Sequence, residues 1–290
     1  MLEEKYIIKA QRELNETEET KNNALAQLRL WISRHDFFKN CRQDDKFLLQ
    51  FLRTKKYNME RVIDLFERYL LLKNTYPKWF DYGQTEEDRM WQLYDSGFVY
   101  PLIERDEEGR RVIMIQAQKL DPKVFTFADI LRLVTLIAQT LLEEEETQIS
   151  GVVVILDYSN ITLAHLRLFP LSDVVSFVEI IRTSSIGRQK MMYMVSMPNF
   201  ATMLVEVAKK VLSEKLRKRI KLLKSMDELQ NEFDMTLLPL EFGGKIPESV
   251  MLDEFKKLAN ERSTYIKEIV DGVDWDKVAL EVDDGSCTIT

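Results

Sequence analysis

The chain has 290 residues, is 45% hydrophobic and carries a formal net charge of -7, enough length for a sizeable core in one or two domains and a field that disfavours general nucleic-acid binding. Only Cys41 and Cys287 are present, which excludes a disulfide framework and a multi-cysteine zinc site. The acidic start Met1-Leu2-Glu3-Glu4-Lys5 is unlike a secretory signal, no apolar run approaches the roughly 20 residues of a membrane span, and the expected compartment is the cytoplasm.

The first 90 or so residues read as helices. Ala24, Leu25, Leu28, Trp31 and Ile32 form a stripe at helical period. Asp44 and Asp45 are placed to cap the next helix, ahead of Phe47, Leu48, Phe51 and Leu52, and Asn58 can open another carrying Val62, Ile63, Phe66, Tyr69 and Leu70. Beyond Trp91 the pattern changes to apolar runs of strand length at 98–103, 112–117, 152–156 and 191–197, with helical segments at 127–142 and 172–183. The third and fourth runs are apolar without alternation, as in strands covered on both faces, so an α/β domain with a mostly parallel sheet and covering helices is predicted. Gly243-Gly244 and Pro247 interrupt the chain before a polar helix from Val250 to about Val270 and an acidic, disordered tail. The expected division is a helical domain over 1–90, an α/β domain over 91–250, and a terminal helix and tail over 251–290.

Catalytic signatures are missing. The chain has no glycine-rich phosphate loop and no serine elbow, and its imidazoles are limited to His35 and His165. His165 and Asp157 read as structural hydrogen-bonding residues, because nothing partners either for proton transfer. The run Glu143 to Glu146 reads as solvated. A non-enzyme without cofactor or metal is expected.

Charge is distributed unevenly. Lys209, Lys210, Lys215, Arg217, Lys218, Arg219, Lys221 and Lys224 face only Glu214 among nearby acids, a pattern of either a solvated helix face or a surface for a compact anion. Just upstream, Phe200, Met203, Leu204, Val207, Ala208, Val211 and Leu212 recur at helical spacing, which by itself describes a helix packed on a core or one poised over a cavity. Lys215 and Arg219 stand one turn apart, and Arg188 and Lys190 precede the fourth apolar run on one side of an extended segment. Clustered Arg and Lys suit a phosphomonoester, so an inositol phosphate is a plausible guest.

The segment Asp44-Asp45-Lys46-Phe47-Leu48-Leu49-Gln50-Phe51-Leu52-Arg53-Thr54-Lys55-Lys56-Tyr57 resembles the front helix of the CRAL-TRIO family. Asp121-Pro122-Lys123-Val124-Phe125-Thr126, the Val152–Asp157 run, Ser196-Met197-Pro198, Leu212-Ser213-Glu214-Lys215 and Leu237-Leu238-Pro239-Leu240-Glu241-Phe242-Gly243-Gly244 are similar, in the same order, to the family's tocopherol- and retinaldehyde-binding members. The likeness runs over about residues 20 to 265.

This resemblance implies an all-α front domain and a lipid-binding cage whose apolar cavity holds one molecule behind a helical gate. The implied gate residues are Phe200, Met203, Leu204, Val207 and Val211. A basic cleft for phosphatidylinositol bisphosphate would comprise Arg53, Arg188, Lys190, Lys215 and Arg219. The implied cavity wall is Leu131, Val134, Ala138, Leu156, Phe169, Phe177, Ile180, Ile181, Ser185 and Met192. Ile115, Leu120 and Ala138, with the compliant side chains Met191, Met192 and Met194, leave the cargo open among tocopherol, retinoid and carotenoid classes. The expected function is a monomeric carrier that associates transiently with endosomal or other cytosol-facing membranes; the competing expectation is a phosphoinositide-dependent endosomal adaptor with little cargo.

Overall fold

The computed structural model of the chain describes residues 2–35, 38–76, 79–80, 88–169 and 171–271. Four helices come first: α1 (Glu4–Leu14), α2 (Glu18–Arg34), α3 (Asp45–Thr54) and α4 (Met59–Thr75). The last three start where a side-chain oxygen can accept an otherwise orphaned backbone N–H: Thr17 from Thr20, Asp44 from Phe47 and Asn58 from Arg61. Together they enclose an apolar core in which the Phe51 ring meets Phe66 at 4.9 Å and Tyr69 at 5.3 Å between centroids, both near edge-on. The helix α1 stays outside that core. Its Tyr6, Ala10 and Leu14 are buried instead with Ile149 of the following domain.

The chain continues through α5 (Arg89–Asp95), β1 (Val99–Pro101), β2 (Arg111–Gln116), α6 (Phe127–Leu142), α7 (Glu145–Ser150), β3 (Val152–Asp157), α8 (Leu163–Arg167) and α9 (Leu171–Ser184). Then follow β4 (Gln189–Val195), α10 (Asn199–Val211), α11 (Glu214–Arg217), β5 (Ile220–Leu223), α12 (Met226–Leu229) and α13 (Glu248–Asp271). Among the described residues the strands form one five-stranded sheet in the order β1-β2-β3-β4-β5, antiparallel at β1-β2 and parallel elsewhere. The strand β5 is not foreseen in the sequence, and α13 begins two residues ahead of the predicted helix.

The two faces of the sheet differ. Val112, Met114, Gln116, Val153, Ile155, Tyr193 and Val195 share one face and are all buried. The C-terminal segment seals it: Phe233 meets the Tyr193 ring at 6.4 Å, and Gln116 Nε2 and the Tyr100 hydroxyl both donate to Glu248 of α13. Met251, Phe255 and Ala259 belong to the same core, so the first half of α13 is part of the sheet domain rather than a separate terminal piece. Ile113, Ile115, Leu156 and Met192 line the opposite face and are only half-buried. The acidic tail lies outside the described residues.

Candidate functional site

The predicted cavity wall is spread over α6, β3, the segment after α8, α9 with the residue that follows it, and β4. On α6, Leu131, Val134 and Ala138 recur at i, i+3 and i+7; Leu131 is buried and the other two keep partial exposure. Phe127, in the first turn of α6, meets Phe169 at 5.6 Å and Phe177 at 6.0 Å edge-on, which draws α6, the segment after α8, and α9 together. Leu156 and Met192 occupy one sheet face, since Val154 stands opposite Met192 in the parallel register. Ile180 is half-buried, while Ile181 and Ser185 remain exposed.

The expected gate is the helix α10, which packs along α9. Among its described side chains Ala201 and Val205 are buried, one turn apart and outside the predicted stripe. Phe200 is 41% and Met203 67% exposed, so the helix offers apolar groups outward as well as inward. Val207 is half-buried, and the side chains of Leu204 and Val211 lie outside the described residues. The turn after α10 is short: Ser213 caps α11 by accepting the Leu216 N–H, and Lys215 and then Arg219 follow at once.

A cluster of cations forms where α11 meets the start of β4. Local backbone geometry places it. Gly151 has φ +85°, and a Cβ there would lie 2.2 Å from the Arg188 carbonyl, so only glycine lets the chain pass and lets Val152 donate to that carbonyl at 2.9 Å. A bulge at Val152/Val153 then shifts β4 by one residue, and Arg188 and Lys190 come to share one partner. Each donates to the same oxygen of Glu13 on α1, both at 2.8 Å. Burial raises the Glu13 pKa, but the hydrogen bonds from Lys190 and Arg188 outweigh it and hold the carboxyl at about 2.

The remaining cations repel one another. Arg219 donates to the Gln189 carbonyl, and its pKa is lowered by burial and by Arg188. The Lys215 pKa is lowered by burial and then by Arg219, Lys56 and Arg188. Among the described residues no carboxylate pairs with Lys56, Lys215 or Arg219. Lys56 arrives from the helical domain in a left-handed turn after α3 (φ 51°), next to Thr54, whose hydroxyl accepts the Gly187 N–H at 2.8 Å. Ile186 packs on the core of the helical domain and fixes the same junction. The sequence reading missed both Lys56 and Glu13; the Lys55-Lys56 pair at the end of a quoted motif was the one available hint.

Two expectations need correction. Arg53 does not join this cluster. It is 1% exposed and donates from Nε and Nη2 to Glu16 at 2.8 and 2.7 Å, from Nη1 to Gln148 at 2.8 Å, and from Nη2 to Glu145 at 2.9 Å. Those partners hold it as a buried structural cation. The run Glu143 to Glu146 is not solvated throughout either: Glu143 accepts two bonds from Arg42, and Glu144 is gripped by Arg105 and Arg111, because arginines far along the chain neutralise them. His165 Nδ1 accepts the Thr162 N–H, capping α8, and Asp157 accepts from the backbone and hydroxyl of Ser159.

Among the described residues no group of three His, Cys, Asp or Glu side chains is placed to hold a metal ion, and no helix is long and apolar enough to cross a membrane. The model of the CRAL/TRIO domain matches residues 95–244, more than half of the chain. The chain belongs to the CRAL-TRIO family. As a CRAL-TRIO protein it is a lipid-binding protein of the carrier type, built to take a small lipophilic molecule. Its similarity to other members extends past the domain itself. Clavesin-1 of Xenopus laevis is 29% identical over 242 residues, covering 83% of this chain and 73% of that protein. Clavesin-2 of Homo sapiens is 29% identical over 240 residues, covering 82% and 73%. The crystal structure of Sfh5 matches with a TM-score of 0.56 at 10% identity over 81% of this chain and 92% of that one, a likeness of fold alone.

Proposed function

We propose that this CRAL-TRIO protein is a non-enzymatic carrier that encloses one isoprenoid-type ligand, of the tocopherol, retinoid or carotenoid class, and gives it up at membranes bearing phosphatidylinositol bisphosphate. The observation that carries the reading is the continuity of α10, α11 and the cation cluster: the helix with exposed Phe200 and Met203 runs through one short turn into Lys215 and Arg219. An anion drawn to Lys215, Arg219, Arg188 and Lys190 would pull on the end of that helix. Its outward apolar groups could then trade water for acyl chains.

The energetics favour assisted release. Several hundred Å² of ligand surface, at roughly 25 cal/mol per Å², favours the closed complex by several kcal/mol, so escape into water is slow without a membrane. In this reading the protein works as a monomer without cofactor, in the cytoplasm, meeting endosomal or other cytosol-facing membranes transiently. Native mass spectrometry of the purified protein, followed by solvent extraction, tests the cargo. One stoichiometric isoprenoid is expected. An empty protein that also takes up no retinoid, tocopherol or carotenoid would overturn the carrier and favour a phosphoinositide-dependent adaptor.

A further inference from the structure

The cation cluster has two unlike halves. Arg188 and Lys190 share one carboxylate, Glu13, whose Oε2 lies 2.8 Å from each, while Glu13 Oε1 lies 3.6 Å from both Lys9 and Arg12. Lys56, Lys215 and Arg219 have no carboxylate among the described residues, although each lies close enough to a like charge to take part in the mutual repulsion around Lys215. A carboxylate shared by an arginine and a lysine occupies the place and the donors that a phosphate would use. The element that delivers it packs apart from both main cores. The helix α1 has no side-chain cap at its start, leaves Ile7 and Ile8 exposed, and buries Tyr6, Ala10 and Leu14 with Ile149, while Lys9 ties it to Glu108 at 2.9 Å.

Resting on the headgroup reading above, we propose that Glu13 is a built-in occupant of a second phosphate subsite, displaced together with α1 when a ligand carrying two or more phosphomonoesters binds. A single phosphate is met by Lys56, Lys215 and Arg219 and leaves Glu13 in place. A second phosphate reaches Arg188 and Lys190 by replacing the carboxylate, which then withdraws with its helix. Acidification does not substitute for the ligand, because the cations Lys9, Arg12, Arg188 and Lys190 surround Glu13, the opposing acid Glu108 stands beyond Lys9, and the Glu13 carboxyl stays ionised down to about pH 2. The shared chemistry is an inositol polyphosphate, on a lipid or free in solution.

The test uses the full chain, wild type and Glu13→Gln, with vesicles of neutral lipid alone, with phosphatidylinositol monophosphate, or with phosphatidylinositol bisphosphate, and separately with soluble inositol trisphosphate. Glu13→Gln keeps size and removes charge, and is expected to tighten binding to bisphosphate vesicles by about five-fold or more, and to monophosphate vesicles by about two-fold or less. In the unmutated protein, which carries no folding risk, amide exchange over residues 7–14 is expected to rise on bisphosphate vesicles and stay unchanged on monophosphate vesicles. Equal gains for both lipids, no gain, or added protection of α1 on binding would overturn the role of Glu13 while leaving the headgroup reading standing. Release of α1 by soluble inositol trisphosphate but not by vesicles would overturn the membrane source. Failure of the wild type to bind any of these anions would overturn the headgroup reading itself, and this proposal with it.

Discussion

Arg53 and Glu13 are both ion-paired, yet their surroundings assign them opposite roles. Arg53 is fully enclosed, and removing it would leave Glu16 buried without its counter-charge. Arg53→Ala is therefore expected to cost about 3–5 kcal/mol, read as a lower denaturant midpoint with unchanged slope. Glu13 retains solvent contact, so its pairs contribute less, and Glu13→Gln should cost on the order of 1 kcal/mol at pH 7. The sign of its pH dependence follows from a folded pKa of about 2 against an ordinary 4.5. Its stabilisation is complete above pH 4.5 and is lost as pH falls toward 2. Thermal unfolding of wild type and Glu13→Gln should therefore differ at pH 7 and converge near pH 2. A difference that persisted there would show that the charge is not the cause.

Among the helices and strands, α10 makes the sharpest demand. Met203 is 67% exposed, so Met203→Asp should leave stability within about 0.5 kcal/mol while slowing ligand transfer to vesicles severalfold. A transfer rate unchanged by that charge would remove α10 from the membrane step. The same elements show what sequence can convey. Strands β3 and β4 were legible because both of their faces are apolar, one buried in the core and the other half-buried, which leaves runs without alternation. The strand β5 was not: Lys221 and the exposed Leu222 lie within it, and it sits at the sheet edge inside a stretch dominated by basic residues. The helix α1 escaped notice because the exposed Ile7 and Ile8 blur its narrow stripe of Tyr6, Ala10 and Leu14. Glu143 and Glu144 looked solvated because their arginine partners lie elsewhere in the chain, and no local pattern reveals a contact between Arg42 and Glu143. Arg188, Lys190, Lys215 and Arg219 could be grouped by motif, but the carboxylate among them comes from a helix over 170 residues earlier in sequence than either Arg188 or Lys190, as the contact separations of 175 and 177 record.

Taken together, the protein is two cores joined at a charged seam, with α13 extending the sheet domain past the end of the matched family segment at residue 244. Phe255 is 2% exposed in that core and stacks obliquely on Tyr94 at 5.4 Å. Phe255→Ala should cost about 3–5 kcal/mol and destabilise the sheet domain, which a spectroscopic unfolding curve would register. In the proposed mechanism the seam is where a headgroup would act on a cargo site: Thr54 and Ile186 hold the β4 approach to the helical domain, Lys56 lies near enough to Lys215 to lower its pKa, and α10 would carry the response away. The measurement that bears on this most directly is the rate at which the protein, loaded with a fluorescent isoprenoid, delivers it to acceptor vesicles with and without phosphatidylinositol bisphosphate. Acceleration by the lipid, abolished by Lys215→Ala with Arg219→Ala while the ligand still loads, is the predicted result. Equal rates on both vesicles, or acceleration that survives the double substitution, would contradict it.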